Sequence, residues 1–136
     1  MNLFIDTEFN SFGGELMSIA LVAEDFTDFY EELKLPEIIH PWVAENVVPL
    51  LHNTPITRIL LQNRLERFLR NYNHVNIIAD WPEDIRYFCD LLITGPGTRI
   101  QYPRMTLEIV KIDSHSEKPH HALYDAVGLR NAYMEN

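Results

Sequence analysis

The segment LFIDTEFNSFGGEL, residues 3–16, decides how the chain folds. Its apolar start reads as a short buried strand over residues 2–6, yet Asp6, Thr7 and Glu8 follow at once, and acidic residues are poor strand formers. Two arrangements satisfy it. Either the strand stops and the acids form a solvated end, with Asp6 capping the loop, or the strand holds both carboxylates on one face. Side chains alternate along a strand, so in the second case Asp6 and Glu8 share a side and Thr7 points away. Two anions so placed repel unless a cation lies between them. Hard divalent cations, Mg²⁺ in particular, take carboxylate oxygens together with water and phosphate.

Composition narrows the classes. With 136 residues, 46% hydrophobic and 23% charged, the chain is expected to be one domain, 1–136, burying roughly two-thirds of its unfolded surface. A formal net charge of −9 argues against a broad basic surface for nucleic acid, since counterion release needs clustered Lys and Arg. It leaves open local binding of a phosphodiester through metal ions that first neutralise the chain's own acids. No apolar run approaches the ~20 residues of a membrane span, and the N-terminal residues lack the basic-then-apolar pattern of a signal peptide. Cys89 is the one cysteine, which fits a reducing compartment, and its apolar neighbours place it in the core. The expectation is a cytoplasmic protein with no membrane partner.

Residues 14–25 (GELMSIALVAED) read as a second strand and 26–33 as its hairpin partner. Residues 40–53 carry apolar side chains at 43, 47, 50 and 51, a helical spacing. Residues 54–72 form the clearest helix, with Thr54 as N-cap and Pro55 at the first helical position. HVNIIAD (74–80) reads as a buried strand, and a helix starts at Pro82 and runs through EDIRYFCDLLI. GPG (95–97) breaks the chain, 105–112 make a last strand, 113–119 a loop and 120–134 a terminal helix. The order β-β-β-α-α-β-α-β-α predicts an α/β fold with a mixed sheet and helices on its faces.

Further acids join the first pair. Asp84 sits one turn into the helix that follows a buried strand, near that strand's carboxyl end, where open α/β sheets place their ligands. Asp80, at the strand end, is the expected N-cap of the Pro82 helix and competes for the same role. Asp125 lies among Ala122, Leu123, Ala126 and Val127. An acid in such company is more often paired or metal-bound than idle, with a helix–helix ion pair as the alternative. Taken together, FIDTEF, DWPEDIRYF and HHALYDA resemble the three motifs of the DEDDh branch of the DnaQ-like 3′–5′ exonucleases. The third motif, from His120 to Ala126, is the most specific, and the resemblance covers nearly the whole chain. DTEF, SIALVAED, a Trp-Val helix ending near VVPLL and the HHALYDA helix are similar to the small bacterial exoribonucleases of the RNase AS type. The second motif departs from the family: Trp81-Pro82-Glu83 precedes its Asp, leaving Asp80 and Glu83 as extra acids beside Asp84.

The resemblance implies an RNase H-like fold. Its mixed five-stranded sheet would have a three-stranded antiparallel start, then two strands parallel to the first, with helices on both faces. It also implies a metal-dependent 3′–5′ exonuclease that releases nucleoside 5′-monophosphates from a single-stranded 3′ end, RNA favoured. The catalytic set would be Asp6, Glu8, Asp84, His120 and Asp125, the four acids holding two divalent ions, Mg²⁺ or Mn²⁺. His120 would accept a proton from water. The motif selects His120, not His121, and a spacing of five residues turns a regular helix by ~500°. His120 and Asp125 can therefore converge only if His120 stands at or before the first helical turn. His121 is expected at the surface and His115 in solvent. By analogy Thr7, Phe9, Asn10 and Ser11 would touch the terminal nucleotide, Phe9 stacking on a base unless it is core. Arg99 and Arg104 would grip phosphates or lie solvated. Relatives often pair, which implies a homodimer. A DNA 3′–5′ exonuclease, an endonuclease on the same fold and a catalytically silent nucleic-acid-binding domain are the rival readings. The complete set of five residues argues against the last.

Overall fold

Three strands close in sequence pair as a meander, and the later ones must cross over to join it. A computed structural model describes residues 1–135. In it β1 (Asn2–Phe9), β2 (Leu16–Ala23) and β3 (Asp28–Glu32) are successively antiparallel. Helices α1 (Pro41–Asn46) and α2 (Arg58–Leu69) lead to β4 (His74–Ala79), which pairs parallel with β1. Helix α3 (Pro82–Leu92) and a small hairpin of β5 (Ile93–Gly95) and β6 (Thr98–Arg99) precede β7 (Arg104–Ile109), parallel to β4. Helix α4 (Ala122–Met134) ends the fold. The result is an α/β structure whose five-stranded mixed sheet has the order β3-β2-β1-β4-β7. No helix among the described residues is long and apolar enough to cross a membrane.

Alternation along β1 divides the layers. Leu3 and Ile5 pack with Leu61, Leu65 and Leu69 of α2 and with Phe88 and Leu91 of α3. Phe4 faces the other way, against Ile78 and Leu129 of α4. Every residue of β2 is buried, as covering both faces of a central strand requires. Gln62 ties α2 to the end of α3, donating to the carbonyls of Leu91 (3.0 Å) and Ile93 (2.9 Å).

Several boundaries differ from the sequence expectation. The helix expected over 40–53 stops at Asn46 and gives way to a 3₁₀ turn over Val48–Leu50, because Pro49 has no N–H for the next α-helical bond. The helix expected from Thr54 starts at Arg58. Its N-cap is Thr57, whose hydroxyl accepts from the Leu60 N–H (3.2 Å). Ile56 is instead drawn into a parallel bridge with Leu33. The 93–99 hairpin adds two strands to the expected order, each too short to show alternation in the sequence. Cys89 is half-buried, not core.

Candidate metal centre

Parallel strands end on one side, so the carboxyl ends of β1 and β4 deliver their residues to the same edge. The register Phe4↔Ile78, carried two residues further along each strand, brings Asp6 level with Asp80. On its other side Asp6 is paired with Ala20 of β2. Ala20 is buried in one cluster with Ala122 and Ala126, and these small side chains let α4 approach the sheet closely. That approach carries Asp125 to the two acids of β1. Asp6, Glu8 and Asp125 each offer an oxygen within 4.8 Å of the others, and so do Asp6, Asp80 and Asp84. Asp6 belongs to both groups.

Asp84 reaches this edge from the opposite layer. It is the third residue of α3, and Thr7, pointing away from Asp6, holds it. The Thr7 hydroxyl donates to Asp84 Oδ1 at 2.6 Å and the Thr7 N–H donates to the same oxygen at 3.2 Å. Asp80 is not the expected cap: α3 begins after Trp81, no side chain caps it, and the Asp80 carboxylate turns toward Asp6 and Asp84. Trp81 donates its indole N–H to Glu83 Oε1 (3.0 Å).

The electrostatics are unfavourable without a cation. Burial, reinforced by Asp84, Glu8 and Asp125, holds the Asp6 carboxyl well above the usual range. Burial and then Asp125 push Glu8 up to about 8. Asp84 rises to about 7 through burial, against the two Thr7 bonds that lower it. Burial raises Asp80 too. Among the described residues no Lys or Arg forms an ion pair with any of these acids. Asp6 Oδ2 and Asp84 Oδ2 are buried without a hydrogen-bond partner. Orphaned carboxylate oxygens that repel one another and converge in two groups fit hard divalent cations, which take oxygen ligands.

His120 precedes α4, as its spacing to Asp125 required. It adopts a left-handed conformation (φ +73°), a cost of about 1–2 kcal/mol for a residue with a Cβ. Its N–H donates to Asp125 Oδ2 (3.2 Å), and its ring meets the edge of Trp42 at 5.0 Å between centroids. A cavity of about 700 Å³ opens above the acids, reached by His120, Phe9, Ser11, Phe12, Trp42 and Trp81. Phe12, Trp42 and Trp81 are exposed, and nothing in the sequence separated these aromatics from core.

Other expected contacts are redistributed. Thr7 is buried and its hydroxyl is committed to Asp84, so its side chain positions an acid while the residue still lines the cavity. Asn10 lies outside the cavity lining: its amide donates to Ile38 O and accepts from the His40 N–H, both at 2.8 Å, pinning the loop before α1. Phe9 lines the cavity with one face stacked on Tyr87, centroids 4.8 Å apart. His121 is not at the surface; it is 2% exposed, because α4 seats it against Tyr30 and His52. His115 is solvated. Arg104 begins β7 and so stands at the opposite edge of the sheet, while Arg99 lies over the Tyr102 ring (4.5 Å). Neither lines the cavity.

No model of a known protein family matches the chain, and no curated protein is significantly similar to it.

Proposed function

We propose that the chain is a metal-dependent 3′–5′ exonuclease with an RNase H-like fold and a DEDDh site, acting on single-stranded RNA ends. The observation that carries this is Asp6 shared between two carboxylate groups, with an imidazole standing over the same cavity. Asp6, Glu8 and Asp125 would hold one divalent ion, and Asp6 with Asp84 and Asp80 a second. Bound there, Mg²⁺ or Mn²⁺ would neutralise the phosphodiester and activate water for in-line attack. That charge offsets the clash between a chain of net charge −9 and a polyanionic substrate.

The chain's own side chains supply the remaining functions. The His120 imidazole accepts the proton of the attacking water, a contribution usually worth 10²–10⁴-fold. Asp125 keeps the His120 backbone in its turn through the 3.2 Å bond, so the residue before the helix stays beside the acids. Thr7 fixes Asp84 from beneath. The exposed faces of Trp42 and Trp81 border the cavity and are suited to stacking on bases. The favoured RNA substrate and the homodimer rest on the resemblance alone.

End-labelled RNA and DNA incubated with Mg²⁺ or Mn²⁺ test the assignment. Stepwise shortening from a free 3′ hydroxyl is expected, abolished by chelation and by Asp125→Ala. Equal degradation by wild type and Asp125→Ala would sink it. Shortening of DNA in preference to RNA would move the substrate class, and internal cleavage of circular substrate would make the chain an endonuclease.

A further inference from the structure

A second group of ligand-type side chains lies outside the carboxylate centre. Glu32 at the end of β3, His52 after the 3₁₀ turn and His121 just before α4 offer ligand atoms within 4.8 Å of one another. Three distant segments thus meet at one carboxylate and two imidazoles. We infer that Glu32, His52 and His121 form a separate site for a transition-metal cation, Zn²⁺ being the best fit, that braces the start of α4.

The donor geometry favours this over a chance cluster. His121 Nε2 and His52 Nδ1 are 3.3 Å apart. Two nitrogens bound at about 2.0–2.1 Å to one tetrahedral zinc stand roughly 3.3 Å apart. Glu32 is 3% exposed, and its carboxylate accepts from the Asn53 N–H (3.0 Å), the His52 N–H (3.1 Å) and the Tyr30 hydroxyl. A carboxylate has about four lone-pair positions. Oε2 accepts two of these bonds and Oε1 one, so the position left for a cation is on Oε1. Among the described residues no Lys or Arg pairs with Glu32, and the His52 ring stands 3.9 Å from its carboxylate.

His121 is the buried imidazole of the pair. Its ring is buried, yet Nδ1 has no hydrogen-bond partner. If Nε2–H donates to His52, Nδ1 is a buried acceptor without a donor; if Nε2 accepts, Nδ1–H is a buried donor without an acceptor. Either tautomer leaves the ring short of one bond, a rare condition for a buried polar group. A cation between His121 Nε2 and His52 Nδ1 takes the place of the single proton those two nitrogens can share, and fixes His121 as the tautomer protonated on Nδ1. Two nitrogens select against Mg²⁺ and Ca²⁺, which take oxygen, and suit zinc. His52 is on the exposed side (59% of its side chain), which leaves room for water to complete the tetrahedron there.

The test separates this site from the carboxylate centre by using Asp6→Asn, which removes the acid common to both groups there. Chelator-stripped Asp6→Asn protein is titrated with Zn²⁺ against a chromophoric competitor, with Mg²⁺ in excess. One equivalent is expected to bind, raising the melting temperature, and Co²⁺ in its place should give the visible absorption of a tetrahedral complex. His52→Ala in the same background should weaken binding by more than about tenfold, since even a lost outer partner of a ligand costs 10–100-fold. His52 is exposed, so this change spares the fold, and melting without metal checks that. No zinc taken up by Asp6→Asn, or equal uptake after His52→Ala, would overturn the inference. Neither result depends on nuclease activity.

Discussion

Removing divalent cations should leave a protein that weakens as the solution becomes more alkaline, opposite to the acid lability of a typical domain. Glu8 has a folded pKa of about 8 against an ordinary 4.5, so the native state binds the extra proton between those values. Stability therefore falls as pH rises through that interval, by about 1.4 kcal/mol per pH unit for one fully shifted group. His121 opposes this at the acid end: burial lowers its pKa, so the unfolded chain gains a proton that the native state refuses below about 6.5. Above about pH 6.5 that contribution is complete, and the carboxylates act alone. From there to about 8, Glu8 alone removes about 2 kcal/mol, a sizeable part of the 5–15 kcal/mol typical of a domain. Asp84, raised to about 7, steepens the lower half of the window. Urea midpoints of chelator-treated protein measured across it give the slope. Mg²⁺ at about 100 times its Kd should return about 2.7 kcal/mol and flatten the profile, because only the ionised acids bind it. Asp125→Asn should reduce the slope, since Asp125 is the largest cause after burial of the Glu8 shift. A metal-free profile that is level or rises over this window would refute the account of the site's electrostatics.

Thr7→Val keeps the shape of the side chain and deletes the 2.6 Å bond to Asp84, so cation affinity measured by calorimetry should drop by about 10–100-fold with the fold intact. Asp80→Asn removes a charge that repels Asp6 and Asp84, so the metal-free protein should melt higher at neutral pH while its Mg²⁺ affinity falls; a rise in both would return Asp80 to a purely structural role. Gly14→Ala would set a Cβ 1.9 Å from Asn10 O, and the turn that carries Ser11 must rebuild. Urea denaturation should show a loss above about 2 kcal/mol.

The strand identity of β2 was legible from its apolar run IALVA, and the parity of Asp6 and Glu8 followed from strand geometry alone. The spacing of His120 to Asp125 likewise implied a histidine ahead of the helix, where it stands. Asp80 was misjudged because local sequence favours a cap before Pro82, while the contact that draws it inward comes from β1, over seventy positions away. His121 was misjudged for a similar reason: its burial depends on Tyr30 and His52, which no window around residue 121 contains. Asn10 was expected at the terminal nucleotide, and its bracing role was not legible, since its partners Ile38 and His40 belong to the next loop.

The alternation of β1 has a consequence for how this chain can vary. Its odd positions supply the α2–α3 layer and the Thr7 support, and its even positions supply Phe4 and the acids. Single replacements at most positions disturb one layer. Adding or deleting one residue between Leu3 and Asp6 would exchange the two sets, sending a carboxylate into the leucine layer and turning the Thr7 side chain away from Asp84. Since β1 is hydrogen-bonded on both sides, to β2 and β4, no neighbouring edge is free to absorb the slip. The strand can therefore change its letters but not its length.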